Sequence, residues 1–175
     1  IAITDPGTSL ETLGKERRFR RVFLAEPTVG GRSSALTLFG LVPAVLMGID
    51  VRKILASAVK MADACRPDVP TGSNPGLALG ALIGEAALLG RNKLTVITDR
   101  LFEPFGPWLE QLVAESSGKN GRGILPVVQE PPLDADRYGK DRLFVYLRSD
   151  GQAAGRVSAI IKAGHPVATL EVQDP

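Results

Sequence analysis

Lys93-Leu94-Thr95-Val96-Ile97-Thr98 and Ile124-Leu125-Pro126-Val127-Val128 are short, mostly apolar runs on either side of one amphipathic segment. Their composition, rich in β-branched residues, predicts strands buried on both faces. Between them Leu101, Phe105, Trp108, Leu109, Leu112 and Val113 recur at helical spacing, which predicts a helix over 102–117 that stops near Gly118. The alternation continues with a Pro- and Asp-rich connection at 129–140, a strand over 143–147, a helix over 152–163 and a strand over 166–172. Strands alternating with helices, several apolar almost throughout, predict an α/β fold: a three-layer α/β/α sandwich with a mainly parallel sheet.

Toward the amino terminus, residues 1–4 read as a strand closed by the turn Asp5-Pro6-Gly7, and Thr8 or Ser9 can cap a helix running to Lys15. A strand over 20–24 and a loop over 26–31 lead to a long apolar helix over 33–48, expected to be buried and kinked by Pro43. Asp50 is placed to cap a helix over 51–65 with a one-sided apolar stripe, and Cys65 falls in its interior. The small residues of a helix over 77–89 imply close packing. A length of 175 residues suits one full domain, with residues 1–18 expected to trail from a preceding one and 19–175 to form the main body.

Hydrophobic residues make up 44% and charged residues 23% of the chain, the balance of a folded protein. A net charge of +2, spread apart from the cluster at 15–21, asks for neither nucleic acid nor a membrane surface. The longest uncharged run, 33–49, falls short of the roughly 18–20 apolar residues that span a bilayer. A single cysteine points to a reducing cytoplasm. One histidine, His165, and one cysteine exclude a zinc site of ordinary ligands. Dinucleotide, phosphate-loop and Gly-x-Ser-x-Gly patterns are absent. Because the chain opens at Ile1, already inside a strand pattern, it is expected to be a segment of something longer.

Two stretches could carry chemistry. In Val29-Gly30-Gly31-Arg32-Ser33-Ser34, two glycines let backbone approach a ligand, a helix start offers N–H groups, and Arg32 adds a fixed cation. Taken by themselves these residues favour an ordinary turn with Ser33 or Ser34 as a cap. In the second, Glu115 lies in the last turn of its helix, where the macrodipole disfavours a carboxylate. It is expected beside Trp108 at the edge of the apolar stripe, with Gln111 one turn back. Either Glu115 is a general base, with Gln111 and Lys119 orienting it or the substrate, or it is a surface carboxylate beside a helix stop at Gly118.

Taken together, Val29 to Leu36 followed by Phe39-Gly40-Leu41, and Trp108 to Lys119, resemble glucose-6-phosphate isomerases, including bacterial forms fused to transaldolase. The opening Ile1 to Thr8 is similar too, and the resemblance runs along nearly the whole chain. It implies a flavodoxin-like SIS (sugar isomerase) fold, with the end of one SIS domain followed by most of a second. It implies Glu115 as the base that moves a proton between C1 and C2 through a cis-enediol, Gln111 as a substrate contact and Arg32 as the cation beside the enediolate. Gly30 and Gly31 would pass close to the sugar, and Lys119 takes a supporting role. The resemblance alone carries the expectation of no metal and no organic cofactor. The implied partners are a sugar-phosphate substrate, the first SIS domain and a C-terminal segment of the parent, with a homodimer also open to it. Ser33 replaces the usual Phe or Tyr, and His165 does not match the ring-opening histidine of the family. A non-catalytic SIS module that binds a sugar phosphate or a protein is the other reading.

Overall fold

The computed structural model describes residues 1–172, so the end of the main body expected over 19–175 lies outside the described residues. The chain divides into two compact units, 1–74 and 75–175.

In the first unit, β1 (Ala2–Thr4) and β2 (Val22–Leu24) form a two-stranded parallel sheet, joined by α1 (Ser9–Glu16). This sheet pairs segments from both sides of residue 18. Thr8 caps α1 by accepting from the Glu11 amide at 3.3 Å, as its residue type predicts. Gly14 is the buried position of α1, and a Cβ there would lie 2.7 Å from Val22 Cγ2, so glycine lets helix and strand meet.

The helix expected over 33–48 is shorter. A 3-10 turn covers Gly31–Ser33 and α2 covers Leu38–Leu46, with Pro43 inside it. Thr37 sets the later start: its hydroxyl donates to Ser34 O at 2.7 Å and accepts from the Phe39 amide at 3.3 Å. Nor is α2 buried, since Val45 and Leu46 are 55% and 70% exposed. Asp50 caps α3 (Val51–Ala64) through the amides of Arg52 and Lys53. Cys65 is the residue that ends α3, half-buried with its Sγ 3.8 Å from Met61 Sδ, and not part of a helix interior.

The second unit holds α4 (Pro75–Leu88), β3 (Lys93–Thr98), α5 (Gly106–Ser117), β4 (Leu125–Val127), β5 (Arg142–Arg148), α6 (Ala154–Lys162) and β6 (Val167–Glu171). Its four strands are parallel in the order β4-β3-β5-β6. Side chains alternate across the sheet as the pleat requires. Leu94, Val96, Leu143 and Val145 pack under Ala86 and Ile83 of α4 and Leu109 and Val113 of α5. Ile97, Phe144 and Tyr146 pack under Val157 and Ile160 of α6. Helices therefore cover both faces, which is the three-layer arrangement expected.

Two details depart from the sequence reading. The helix expected over 102–117 opens as a 3-10 segment, Arg100–Phe105, with Pro104 inside it, and α5 proper starts at Gly106. The small residues of α4 do not mark tight contacts: Cβ atoms at Gly80 or Gly84 would meet nothing within 4 Å. Among the described residues no helix is long and apolar enough to cross a membrane.

The unit is tied at the carboxyl edge of its sheet by Asp99, which is 1% exposed and directly follows β3. Oδ2 accepts from the amides of Ser149, Asp150 and Gly151 at 2.8, 3.1 and 2.8 Å, and Oδ1 from the Ala153 amide at 2.9 Å and the Tyr146 hydroxyl at 2.8 Å. Burial alone would raise the pKa of this carboxyl. The amides of Ala153, Ser149 and Gly151 and the Tyr146 hydroxyl outweigh burial and hold it well below the usual carboxylate range. Burial, with Asp99 as acceptor and neighbouring charge, pushes the Tyr146 phenol up to about 12.

Asp99→Ala would leave four amides and a phenol without their acceptor, and is expected to lower the stability of the second unit by on the order of 3 kcal/mol or more. The native pKa is depressed, so this contribution is full above the unfolded value of about 3.9 and is lost as pH falls below it. Urea titrations from pH 7 to pH 3, followed by fluorescence of Trp108, the one tryptophan, should show the gap between wild type and Asp99→Asn closing as pH drops below about 4. In the first unit, Gly14→Ala sets a helix-propensity gain of about 1 kcal/mol against an overpacking cost of about 1–3 kcal/mol. Net destabilisation is expected and is read by a circular dichroism melt.

Candidate functional site

The residues singled out by sequence fall into two groups, one in each unit. In the first unit, Gly30 precedes and Gly31 opens the 3-10 turn that carries Arg32. Cβ atoms at Gly30 or Gly31 would meet nothing within 4 Å, so both flanks of the turn are open. Ser34 closes the turn, its hydroxyl donating to Gly31 O at 2.7 Å, and the half-buried Arg32 is held inside this short loop. The loop is thus an ordinary serine-closed turn in construction, with its backbone accessible.

In the second unit, Gln111 Nε2 donates to Glu115 Oε1 at 3.2 Å across one turn of α5. Sequence reading placed Glu115 half against the core; in the structure it is exposed. The inward stripe of α5 is carried by Leu109 and Val113, and Glu115 lies on the side of Trp108, which is itself exposed. An exposed carboxylate with an amide donor one turn back is poorly explained by core packing.

The turn after α5 is closely specified. Lys119 and Arg122 exchange backbone hydrogen bonds at 2.9 and 3.0 Å, with Asn120 and Gly121 between them at φ values of 53° and 71°. Lys119 is exposed at this hairpin, and its backbone shapes the turn. Beside it opens a cavity of about 560 Å³ lined by Leu88, Asn92, Ser117, Arg122 and Ile124 among others. Since α5 leads from the carboxyl end of β3 to the amino end of β4, Glu115 sits at the amino edge of the sheet, opposite Asp99.

His165 has a structural role: its Nε2 lies 3.1 Å from Ala135 O, and its ring meets Tyr138 and Phe144 edge-on. It joins a polar group in which Arg142 forms a two-pronged ion pair with Glu130, both bonds 2.8 Å, and Arg156 donates to the Tyr138 hydroxyl at 2.8 Å. Among the described residues no cluster of His, Cys, Asp and Glu could hold a metal ion. Asp99 and Ser117 were missed from sequence; an Asp directly after a buried strand was the available signal for the first.

No family model matches the chain. Over 145 residues it is 33% identical to a glucose-6-phosphate isomerase of Parabacteroides distasonis, an alignment that covers 80% of this chain and 32% of that protein. It is 40% identical over 126 residues to the glucose-6-phosphate isomerase of a Synechococcus species, and 41% identical over 123 residues to that of Nostoc punctiforme, in each case over 23% of the relative. In fold it is similar to the crystal structure of a hypothetical protein from Thermus thermophilus, with a TM-score of 0.87 and 20% identity, over 99% of this chain and 51% of that one. The chain thus spans 23% to 32% of the length of these curated relatives, and by sequence it corresponds to one segment of the glucose-6-phosphate isomerases.

Proposed function

We propose that this chain supplies the base-bearing part of an aldose-ketose isomerase that interconverts glucose 6-phosphate and fructose 6-phosphate. The observation that carries the proposal is the Glu115 carboxylate, exposed at the end of α5 and oriented by Gln111 at 3.2 Å, in a chain 33–41% identical to such isomerases.

The chemistry uses only proton movements. In the open-chain aldose, Glu115 takes the proton from C2, the C2–H pair becomes the C1=C2 bond, and the carbonyl oxygen on C1 takes up a proton to give a cis-enediol. The O2 hydroxyl then loses its proton as C2=O forms, and Glu115 returns its proton to C1. No electrons leave the sugar, so no redox cofactor is needed. Negative charge gathers on the enediolate oxygens, where Arg32 would stabilise it and the open backbone of Gly30 and Gly31 would let the loop lie against the sugar. Gln111 and Lys119 are read as substrate contacts that also orient the base.

The chain is read as the end of one SIS domain followed by most of a second. The phosphate anchor and the ring-opening acid then come from other parts of a longer polypeptide, in the cytoplasm.

In an uninterrupted polypeptide that carries these residues, Glu115→Gln should lower kcat by roughly 10²–10⁴-fold, the usual contribution of a general base, while leaving the thermal melt in place. A coupled isomerase assay reads the first and calorimetry the second; full turnover in the variant would remove Glu115 from the role. Residues 1–175 alone are expected to show no turnover in a contamination-controlled preparation. If the longer polypeptide binds fructose 6-phosphate in calorimetry yet turns nothing over, the chain is a sugar-phosphate binding module instead.

A further inference from the structure

We infer that Ser117 is a positioning residue for the Glu115 carboxylate, an inference that rests on the reading of Glu115 as the base. The last carbonyls of a helix have no amide partner within it, and helix ends fray unless something outside holds them. In α5 the proposed base sits in that final turn, two residues before the helix ends at Ser117. Within the turn Gly118 N reaches Ala114 O at 2.9 Å. The tie to the rest of the sheet is the Ser117 hydroxyl: it donates to Val113 O at 2.7 Å and accepts from the Ile124 amide at 3.0 Å. One small side chain thereby fastens the last turn of α5 to the chain entering β4, and Ser117 is itself half-buried there.

Backbone packing closes the same clasp. A Cβ at Gly123 would lie 3.0 Å from Gly118 Cα, and one at Gly118 would lie 2.7 Å from Ala114 O. Between these glycines the Lys119 to Arg122 turn returns the chain, so Ile124 arrives where the Ser117 oxygen can accept from it. Asn120, at φ 53°, and Gly121, at φ 71°, complete a turn with little freedom to shift. The motif Glu115-Ser116-Ser117-Gly118-Lys119 therefore contains two different functions: a carboxylate that faces outward, and a hydroxyl two residues on that fixes where it stands. A proton-transfer base must be held within a fraction of an ångström of the reacting carbon, and a displacement of about 1 Å can cost roughly 10²-fold in rate.

The test uses the uninterrupted isomerase polypeptide with Glu115→Gln, Ser117→Ala, Ser117→Thr and Gly123→Ala variants. Besides kcat and KM, the readout is the partition of the substrate's C2 hydrogen between transfer to C1 and exchange with solvent. That ratio belongs to each catalytic event and is independent of how much protein is folded. Ser117→Ala is expected to lower kcat about tenfold, leave KM within about twofold, and raise the exchanged fraction at least twofold, since a looser carboxylate loses its proton to water more often. Ser117→Thr, which keeps the hydroxyl, should restore the wild-type partition, and Gly123→Ala, which presses on the clasp from the other side, should shift it as Ser117→Ala does. Gly123→Ala also serves if Ser117→Ala does not fold. An unchanged partition in Ser117→Ala, or in Gly123→Ala where only that variant folds, overturns the inference whatever happens to kcat. Turnover retained by Glu115→Gln overturns the base itself, which separates failure of that reading from failure of this one.

Discussion

One buried carboxylate holds the second unit together. Asp99 draws its partners from residues 47 to 54 positions further along the chain, so a single side chain joins the end of β3 to the connection between β5 and α6. Burying a charge is costly unless it is fully hydrogen-bonded, and here both oxygens are satisfied by five donors. The location is informative as well. With strands ordered β4-β3-β5-β6, the chain leaves β3 toward β4 and leaves β5 toward β6, so the crevice at the carboxyl ends of β3 and β5 is a topological switch point. Open α/β sheets commonly bind anionic ligands there, at a helix amino terminus. In this unit Asp99 occupies the amides that such a ligand would use.

The candidate residues of this unit lie at the other edge. Gln111 and Glu115 lie where α5 ends and the chain turns back toward β4, and the backbone there is shaped by the Lys119 to Arg122 hairpin. A helix end is an awkward place for a carboxylate, because the dipole opposes it. It is a favourable place for a group that must face outward and still be anchored, since Val113 and Leu109 hold the same helix against the sheet. The cost in helix stability is a few tenths of a kcal/mol to about 1 kcal/mol, small beside what a general base contributes to rate.

Much of this was legible in the sequence where local pattern and burial agree. The apolar run at 93–98 became β3 with the same limits, and Thr8 and Asp50 cap the helices their positions suggested. Sequence reading failed where apolar content alone was taken as burial. The stretch 33–48 is apolar enough for a core helix, yet Thr37 starts α2 late and none of its side chains is fully buried. Glu115 was misplaced relative to the core because Trp108 was counted in the inward stripe, which Leu109 and Val113 carry instead while Trp108 is exposed. Asp99 and Ser117 were out of reach for a different reason: each matters through partners that are distant in sequence or set by a turn, and no local periodicity encodes such contacts.

The two-stranded sheet of the first unit carries a last consequence. β1 and β2 are three residues long each, and among the described residues the outer edge of each strand carries no further strand. Parallel strands gain most of their stability from cover on both faces and from neighbours on both edges, and two strands are marginal by themselves in water. An apolar cavity of about 540 Å³ beside Ile1, Phe23, Leu38 and Val42 adds surface that favours association. A polypeptide that added a strand to this sheet or filled the cavity would shift the folding equilibrium of the unit by mass action.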